Sequence, residues 1–573
     1  MSILFFAAGG FAAEHYEVVV EHGVAVKMRD GVVLRADIYR PKADGKFPVL
    51  LQRTPYDKRG AVDFGLRAAA QGYVVIVQDV RGRYTSEGEW YPFKHESDDG
   101  YDTVEWAAAL PSSTGKVGMF GGSYVGATQM LAAIASPPHL AGIFPVVTAS
   151  NYHEGWTYQG GAFEQWFNES WTSGLAQDTL DRRIRPTANA MQWVLKLPLT
   201  SYPLFEMGAT EGLAPYFTDW LAHPDYDSYW KQWSIEEHFA QVRVPAFHVA
   251  AWYDIFQGGS LRNYLGIKAQ GGSEDARRGQ RLLVMIGGHA GGGRKIGDVD
   301  FGPAAELDLD AIMLRWYDYL LKGIPNGVET EKPVKIFVMG KNVWRLEDEW
   351  PLARAKVTRY YLHSAGQANS LIGDGQLATT LPGNEPADHF VYNPAEPVPT
   401  VGGPLCCDAT HLPPGPRDQR PVEARGDVLA YTTPEFKEDV EITGPVSVEL
   451  YVSSSAVDTD FTAKLLDVWP DGFAQNLTEG IVRARYRNSA EKPESMNPGQ
   501  TYKFTLDLWA TSNVFLRGHR LRLEISSSNF PRFDRNLNTG EDLGHSTRFV
   551  KTTNTISHDA EHPSALVVPV VPR

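Results

Sequence analysis

The stretch Gly115-Lys-Val-Gly-Met-Phe-Gly-Gly-Ser-Tyr-Val-Gly126 decides how this sequence is read. Val117 to Phe120 is a short apolar run of strand character, and Tyr124 to Ala135 reads as a helix. The glycine-rich turn holding Ser123 therefore joins a buried strand to a helix. A nucleophilic serine needs this setting, because small neighbours let its hydroxyl stand clear above a sheet. The N-terminus of the following helix offers backbone N–H groups to a developing oxyanion. The match to Gly-x-Ser-x-Gly is imperfect: Val125 takes the second glycine position and Gly126 follows one later. A plain strand-to-helix turn is the competing reading at this point.

On either side of that stretch the chain alternates strand and helix. Val18 to Val26 and Val32 to Tyr39 read as strands joined by a turn at Asp30-Gly31. Pro48 to Leu51, Tyr73 to Val77, Pro245 to Ala251 and Leu282 to Ile286 read as buried parallel strands, with a helix at Tyr101 to Leu110 among those between them. This grammar means an α/β sheet covered on both faces. It breaks off between residues 149 and 242, a helical insert with seven of the fifteen tryptophans, and resumes at Pro245. After Trp350-Pro351 only strands follow, among them Val446 to Val452, Phe461 to Val468, Tyr502 to Leu508 and Leu521 to Ile525. In the last, Leu521, Leu523 and Ile525 face one way and Arg522 and Glu524 the other, the pattern of a half-buried strand. The expected architecture is an α/β hydrolase at 14–148 and 243–350, a helical cap at 149–242 and a jelly-roll β-sandwich at 351–573. A Pro/Gly-rich loop from Asn393 to Pro421 is longer than most connections, and such loops are usually functional or disordered.

The partners of Ser123 follow from chain order. An α/β hydrolase sets an acid at the end of a later strand and a histidine after the next. The strand Pro245 to Ala251 runs into Trp252-Tyr253-Asp254, and Leu282 to Ile286 runs into Gly287-Gly288-His289. Between His248, inside a strand, and His363 there is no other histidine. Asp254 and His289 are thus the expected acid and base, with Asp298 or Asp300 the next candidates for the acid. A second oxyanion donor is expected from the loop Arg53-Thr-Pro-Tyr-Asp-Lys58, where the neutral phenol of Tyr56 can donate.

These segments resemble the cocaine esterase family, whose relatives include α-amino-acid ester hydrolases, glutaryl acylases and X-Pro dipeptidyl peptidases. The resemblance runs nearly end to end. It is carried by Arg53 to Lys58, Gln78-Asp-Val-Arg-Gly82, Ser86-Glu-Gly-Glu89, Gly121 to Gly126 and Trp252-Tyr-Asp254. Farther on it is carried by Asp458 to Lys464, Thr511 to Phe515 and Ser526 to Arg535. It implies the same three-part architecture and an oxyanion hole from the Tyr56 hydroxyl and the Tyr124 backbone N–H. It also implies an acyl pocket lined by Trp156, Trp171 and Phe256, and a long jelly-roll loop bringing Cys406 and Cys407 near the substrate. The family's Gly-Pro-Trp before the histidine is reduced here to Gly287-Gly288, and no acidic pair follows Asp254, where Ile255-Phe256-Gln257 stands. The second departure lowers the α-amino-ester and dipeptidyl-peptidase readings.

The remaining features narrow the function. A net charge of −15 leaves no basic stripe for nucleic acid. No run approaches the ~20 apolar residues of a membrane helix. Ile3 to Ala13 is apolar and small-residue-rich without a basic start, so an export signal and a frayed terminus compete, and a cytoplasmic location is favoured. A bridge between the adjacent Cys406 and Cys407 would be strained and close no useful loop, so stability is not expected to depend on disulfides. Metal-ligand spacings are missing, and no cofactor or metal is expected. Gly291-Gly-Gly-Arg-Lys295 reads as a flexible loop beside His289, and Glu96 to Asp102 as a solvated helix start. The first reading is a serine carboxylesterase acting on small esters with apolar or aromatic acyl groups through an acyl-enzyme. Amide or β-lactam side-chain acylase and α-amino-acid ester hydrolase activities are its alternatives, and a sugar-binding protein is the reading from outside enzymes. The expected partner is a small ester or amide, with a homodimer left open.

Overall fold

A computed structural model describes residues 15–183, 194–201, 213–542 and 544–572. The signal-like stretch Ile3 to Ala13 and Trp193 of the insert lie outside these residues. The chain forms two compact units. The first comprises the residues up to Trp90, His95–Phe144 and Leu309–Glu329; the second comprises Tyr91–Lys94, Pro145–Asp308 and the residues from Thr330 onward.

In the first unit the strands β1 (Val18–Lys27), β2 (Val33–Pro41), β3 (Phe47–Thr54), β4 (Val74–Asp79), β5 (Ser113–Gly122) and β6 (Leu140–Val146, entering the second unit at Pro145) pair in the order β1-β2-β4-β3-β5-β6. β3 runs parallel to both β4 and β5, with Thr54 opposite Asp79. The loops after these strands therefore leave the sheet at the same end, which is why Tyr56 and Ser123, far apart in sequence, both follow strand ends there. Val49 to Leu51 and Val74 to Val77 are fully buried, as expected of parallel strands with helices on both faces. Those helices include α1 (Val62–Ala70), α2 (Glu96–Ala108) and α3 (Tyr124–Ile134). Every residue of α3 is buried, so it is enclosed all round rather than striped. α2 approaches it at Gly100, where a Cβ would stand 2.7 Å from that of Ala132.

The start of α2 is not the solvated stretch expected from its charges. Glu96 and Asp99 are buried, Glu96 against Arg53 at 2.7 Å and Asp99 against Arg81 at 2.6 and 2.9 Å. A run of carboxylates looks solvated when read locally. Here the balancing guanidiniums come from β3 and from the loop after β4, positions that only the fold brings alongside.

In the second unit Val146 at the end of β6 pairs in parallel with Val249 of the strand Phe247–Tyr253. That strand is parallel to Arg281–Gly288, which is parallel to Val334–Val338. Asp254 and His289 each stand directly after one of these strands. The insert carries a small hairpin (Tyr158–Gln159 and Ala162–Phe163), α4 (Gln165–Arg183) and the helices Pro215–Ala222 and Ser228–Lys231. Gly291–Gly292 pairs with Gly287–Gly288, and Lys295–Ile296 with Val299–Asp300, so the segment expected as a flexible loop beside His289 is hairpin.

From Lys356 on, strands predominate. Val440–Ser454 is the longest, pairing with Tyr502–Phe515, Thr552–Ser557 and Ala565–Val571, and it buries alternate residues Val446, Val448, Leu450 and Val452. Arg520–Ser526 differs from the half-buried strand that its alternation suggested. Leu521, Leu523 and Ile525 are buried, but so are Arg522 and Glu524 on the other face. Both Arg522–Glu423 contacts are 2.8 Å, and Glu423 belongs to a one-turn helix, Arg420–Glu423. Alternation tells which residues share a face; whether that face meets water depends on what a distant segment lays over it.

One buried cluster here makes stability depend on pH. His558 Nε2 lies 2.9 Å from Asp388 Oδ2, with Glu385 at 3.4 Å from Nδ1; Ser364 and Tyr431 donate to the same Asp388 oxygen, and His363 pairs with Glu385. Burial opposes charging of His558, but Asp388 and Glu385 outweigh it and raise its pKa above the ordinary value. The stabilisation is therefore complete below the unfolded value of ~6.5 and lost as pH rises through the higher folded value. The gap in thermal midpoint between wild type and His558→Gln should be widest near pH ~6 and narrow toward pH ~8. A gap constant across that window would leave His558 only a packing role.

Candidate active site

Ser123 sits between β5 and α3 with φ 60° and ψ −128°, a left-handed backbone that an L-residue rarely adopts and that costs on the order of 1–3 kcal/mol. Its carbonyl accepts from the N–H groups of Gly126 and Ala127 at 2.8 and 3.0 Å, which starts the helix. Gly121, at φ 128°, makes the turn possible, since a Cβ there would fall 2.3 Å from Val125 Cγ1. The displaced second glycine thus has a physical counterpart: Val125 packs across the turn and Gly121 makes the room.

Tyr124 is fully buried, and its hydroxyl donates to Glu96 Oε1 at 3.0 Å. Burial raises the Glu96 carboxyl above its usual range against the pull of Arg53, whose Nη1 donates to the other oxygen. The side chain of Tyr124 is thereby locked away from solvent, and its backbone N–H stands at the first turn of α3 beside Ser123. Tyr56 is 39% exposed, on a loop held on both sides. Arg83 donates to the Pro55 carbonyl at 3.0 Å, and Lys58 is buried with its N–H and Nζ on Asp79 at 2.8 and 3.2 Å. The residues on both sides of this partly exposed ring are thereby held in place.

Asp254 and His289 are brought together in the second unit. His289 Nδ1 lies 2.7 Å from Asp254 Oδ1, and the Phe256 N–H donates to Oδ2 at 3.0 Å. Asp254 is fully buried and the His289 side chain is 10% exposed. An ionised carboxylate only accepts, so Nδ1 carries the proton and Nε2 is left with its lone pair, the tautomer that a general base requires. The runners-up for the acid are engaged elsewhere: Asp300 with Arg294 and Asp298 with Arg417. His248 is buried against Gln280, and burial lowers its pKa to about 4.

The three expected aromatics also meet here. Phe256 meets His289 edge-on at 5.0 Å, Trp156 stacks on Phe256 at 4.4 Å and 10°, and Trp171 meets Trp156 edge-on at 5.6 Å. The long loop is tied at its base by reciprocal hydrogen bonds between Gly403 and Gly415 at 2.8 and 2.9 Å. Pro414, on its returning leg, packs beside Gly288. Cys406 is buried and Cys407 exposed at its far end, and the two are joined in a disulfide. The structure thus has the adjacent bridge that the reading of the sequence set aside; it spans a single peptide bond, so it closes no long loop.

Residues 30–291 match the X-Pro dipeptidyl-peptidase (S15 family), and residues 326–567 match the X-Pro dipeptidyl-peptidase C-terminal non-catalytic domain. Cocaine esterase from Rhodococcus sp. (strain MB1 Bresler) is 39% identical over 97% of this chain and 99% of its own length. The chain belongs to the cocaine esterase family. Among solved structures similar to this member of the family are an α-amino acid ester hydrolase and an aminopeptidase from a marine sediment archaeon (Thaumarchaeota archaeon). The first has a TM-score of 0.83 and 26% identity over 99% of this chain and 98% of that one. The second has a TM-score of 0.84 and 25% identity over 100% of this chain and 99% of that one. A putative serine esterase from Mycobacterium bovis (strain ATCC BAA-935 / AF2122/97) is 25% identical over 89% of this chain and 90% of its own. The fold is that of the family, an N-terminal α/β hydrolase with a C-terminal all-β part, and the protein is a serine hydrolase.

Three supports in this cocaine esterase family member escaped the reading of its sequence. Glu96, which anchors Tyr124, is 28 residues away in the chain, and Asp79, which anchors the Tyr56 loop, is 21 residues from Lys58. No local pattern marks either one. Glu169 lies on α4 between Phe167 and Trp171, and burial pushes its carboxyl up to about 8 against a hydrogen bond from Gln165. Burial there favours the neutral acid, which a count of charges cannot reveal.

Proposed function

We propose that the protein is a serine carboxylesterase for small esters with apolar or aromatic acyl groups, working through an acyl-enzyme. Ser123 is the nucleophile, His289 the general base and Asp254 the acid orienting it. The Tyr56 hydroxyl and the Tyr124 N–H stabilise the oxyanion. The observation that carries the reading is the 2.7 Å pair of Asp254 and His289 at the ends of successive parallel strands, in a chain whose serine occupies a strained strand-to-helix turn. His289 takes the proton of Ser123 through Nε2 as the acyl carbon is attacked, then returns it to the leaving alkoxide. The second half repeats the cycle with water. The division into hydrolase core, cap 149–242 and β-sandwich 351–573 belongs to the same proposal. So does association of two copies, which sedimentation decides.

Tyr56→Phe tests the oxyanion hole. Loss of one donor should lower kcat by ~10²–10³ with little change in KM. A change confined to KM would make Tyr56 a ground-state binder instead.

The acyl side rests on Trp156, Trp171 and Phe256. Flat apolar walls do not replace the hydration of an ammonium, at a cost of ~1–3 kcal/mol, and a tryptophan face returns only ~0.5–2 kcal/mol. Matched phenylacetyl and phenylglycyl esters should therefore differ in kcat/KM in favour of the phenylacetyl ester where the amine is charged. The α-amino acid ester hydrolase among the structural relatives makes the opposite preference the specific alternative. A phenylglycyl preference would move the protein to that branch and require an ionised carboxylate in the pocket.

A further inference from the structure

A cavity of about 260 Å³ lies in the second unit, between the hairpin Tyr158–Phe163, the helix Pro215–Ala222 and the stretches around Arg483–Tyr486 and Asp534–Gly544. None of the residues proposed for catalysis or for the acyl pocket lines it. Its apolar wall is built from Tyr158, Phe163, Leu221 and the ring of Tyr486. These rings are held in place: Tyr158 and Phe163 meet edge-on at 5.4 Å, Tyr158 donates to the Trp220 carbonyl at 2.7 Å, and Tyr486 donates to Asp225 Oδ1 at 2.7 Å. A fixed aromatic ring can offer its negative quadrupole to a cation.

The charges of the cavity point the same way. Arg483 and Arg485 line it together with Asp225, Asp534 and Asp542. Each arginine is already engaged. Arg483 donates to both oxygens of Asp460 at 2.9 Å and to Asp534 Oδ1 at 2.9 Å, and Arg485 Nε donates to Asp458 at 2.7 Å. Asp458 and Asp460 balance the two guanidiniums and leave the lining carboxylates in excess. Asp534 is the most telling of these. It is only 4% exposed, and its Oδ1 takes hydrogen bonds from the Phe163 N–H at 2.7 Å and from Arg483. Its Oδ2 is buried and has no hydrogen-bond partner among the described residues. A buried carboxylate oxygen is costly to leave without a donor, and Asp534 is one of the residues lining the cavity.

We propose that this cavity is a second, non-catalytic binding site for a small organic ammonium ion with an aromatic or branched apolar body. The ammonium would pair with the lining carboxylates Asp225 and Asp534, and its body would lie against Tyr158, Phe163 and Tyr486. The site does not depend on the catalytic assignment, because none of its groups takes part in the proposed ester cleavage.

The test is calorimetric titration of the full-length protein with 2-phenylethylammonium, beside neutral 2-phenylethanol and anionic phenylacetate. Saturable binding of the ammonium is expected, with the alcohol weaker by about tenfold or more and no binding of phenylacetate. Asp534→Asn risks the fold, since Asp534 also holds Phe163 and Arg483. The diagnostic variants are therefore Asp225→Asn, which removes a lining charge, and Leu221→Trp, which fills the cavity. Each should weaken ammonium binding about tenfold or more with the thermal midpoint kept, while Ser123→Ala leaves it unchanged. Equal affinity for the alcohol, tighter binding of phenylacetate, no saturable binding at all, or affinity untouched by both wall variants would each overturn the proposal.

Discussion

Ser123→Ala is expected to abolish labelling by a fluorophosphonate and to lower kcat for ester hydrolysis by ~10⁶. The size follows from what the hydroxyl does. Without it no acyl-enzyme forms, and only substrate binding and the oxyanion donors remain to speed attack by water. The placement of Ser123 supports the assignment: it holds φ 60° at the end of β5, where Gly121 is required for the turn and α3 begins with Tyr124. Alanine lacks only the oxygen and keeps the Cβ, so the strained backbone need not change and the fold should survive. Labelling and hydrolysis should disappear together, with the thermal midpoint retained. Full labelling of the alanine variant would place the nucleophile elsewhere.

Asp254→Asn should keep the fold and lower kcat by up to ~10⁴. The carboxylate now accepts from His289 Nδ1 at 2.7 Å and from the Phe256 N–H at 3.0 Å. An asparagine turned to keep its oxygen on the Phe256 N–H presents its amide N–H₂ to Nδ1. That favours the other tautomer, with the proton on Nε2, where the base must be free. The carboxylate also supports the imidazolium that forms as Ser123 loses its proton, and a neutral amide does not. The loss should appear in kcat and kcat/KM alike, the mark of an interaction made in the transition state. Near wild-type turnover would move the acid elsewhere, although Asp298 and Asp300 are already committed to Arg417 and Arg294.

The signals for these two predictions are local or depend on chain order. Short apolar runs mark parallel strands because both faces of such a sheet are covered, and a Gly-Gly-Ser turn between strand and helix reads the same in any context. Asp254 and His289 could be named because the fold sets an acid and a histidine after successive strands, and His289 was the only histidine in the right interval. The family resemblance added Trp156, Trp171, Phe256 and the Tyr124 N–H, which no spacing identified.

Other features depended on tertiary structure because their partners are remote in the chain. Glu96 and Asp99 look like surface acids until Arg53 and Arg81 are beside them, and Glu96 then holds Tyr124, the residue that follows Ser123. Arg522 and Glu524 seem to face water until the helix Arg420–Glu423 covers Arg522. The pairing of Cys406 with Cys407, the hairpin after His289 and the Asp534 oxygen buried without a donor among the described residues are likewise matters of three-dimensional placement. Periodicity and chain order determine which residues share a face and which loops follow which strands. What covers a face, which charge meets which and whether an acid is neutral depend on desolvation and on partners tens to hundreds of residues away, and these exist only once the chain has folded.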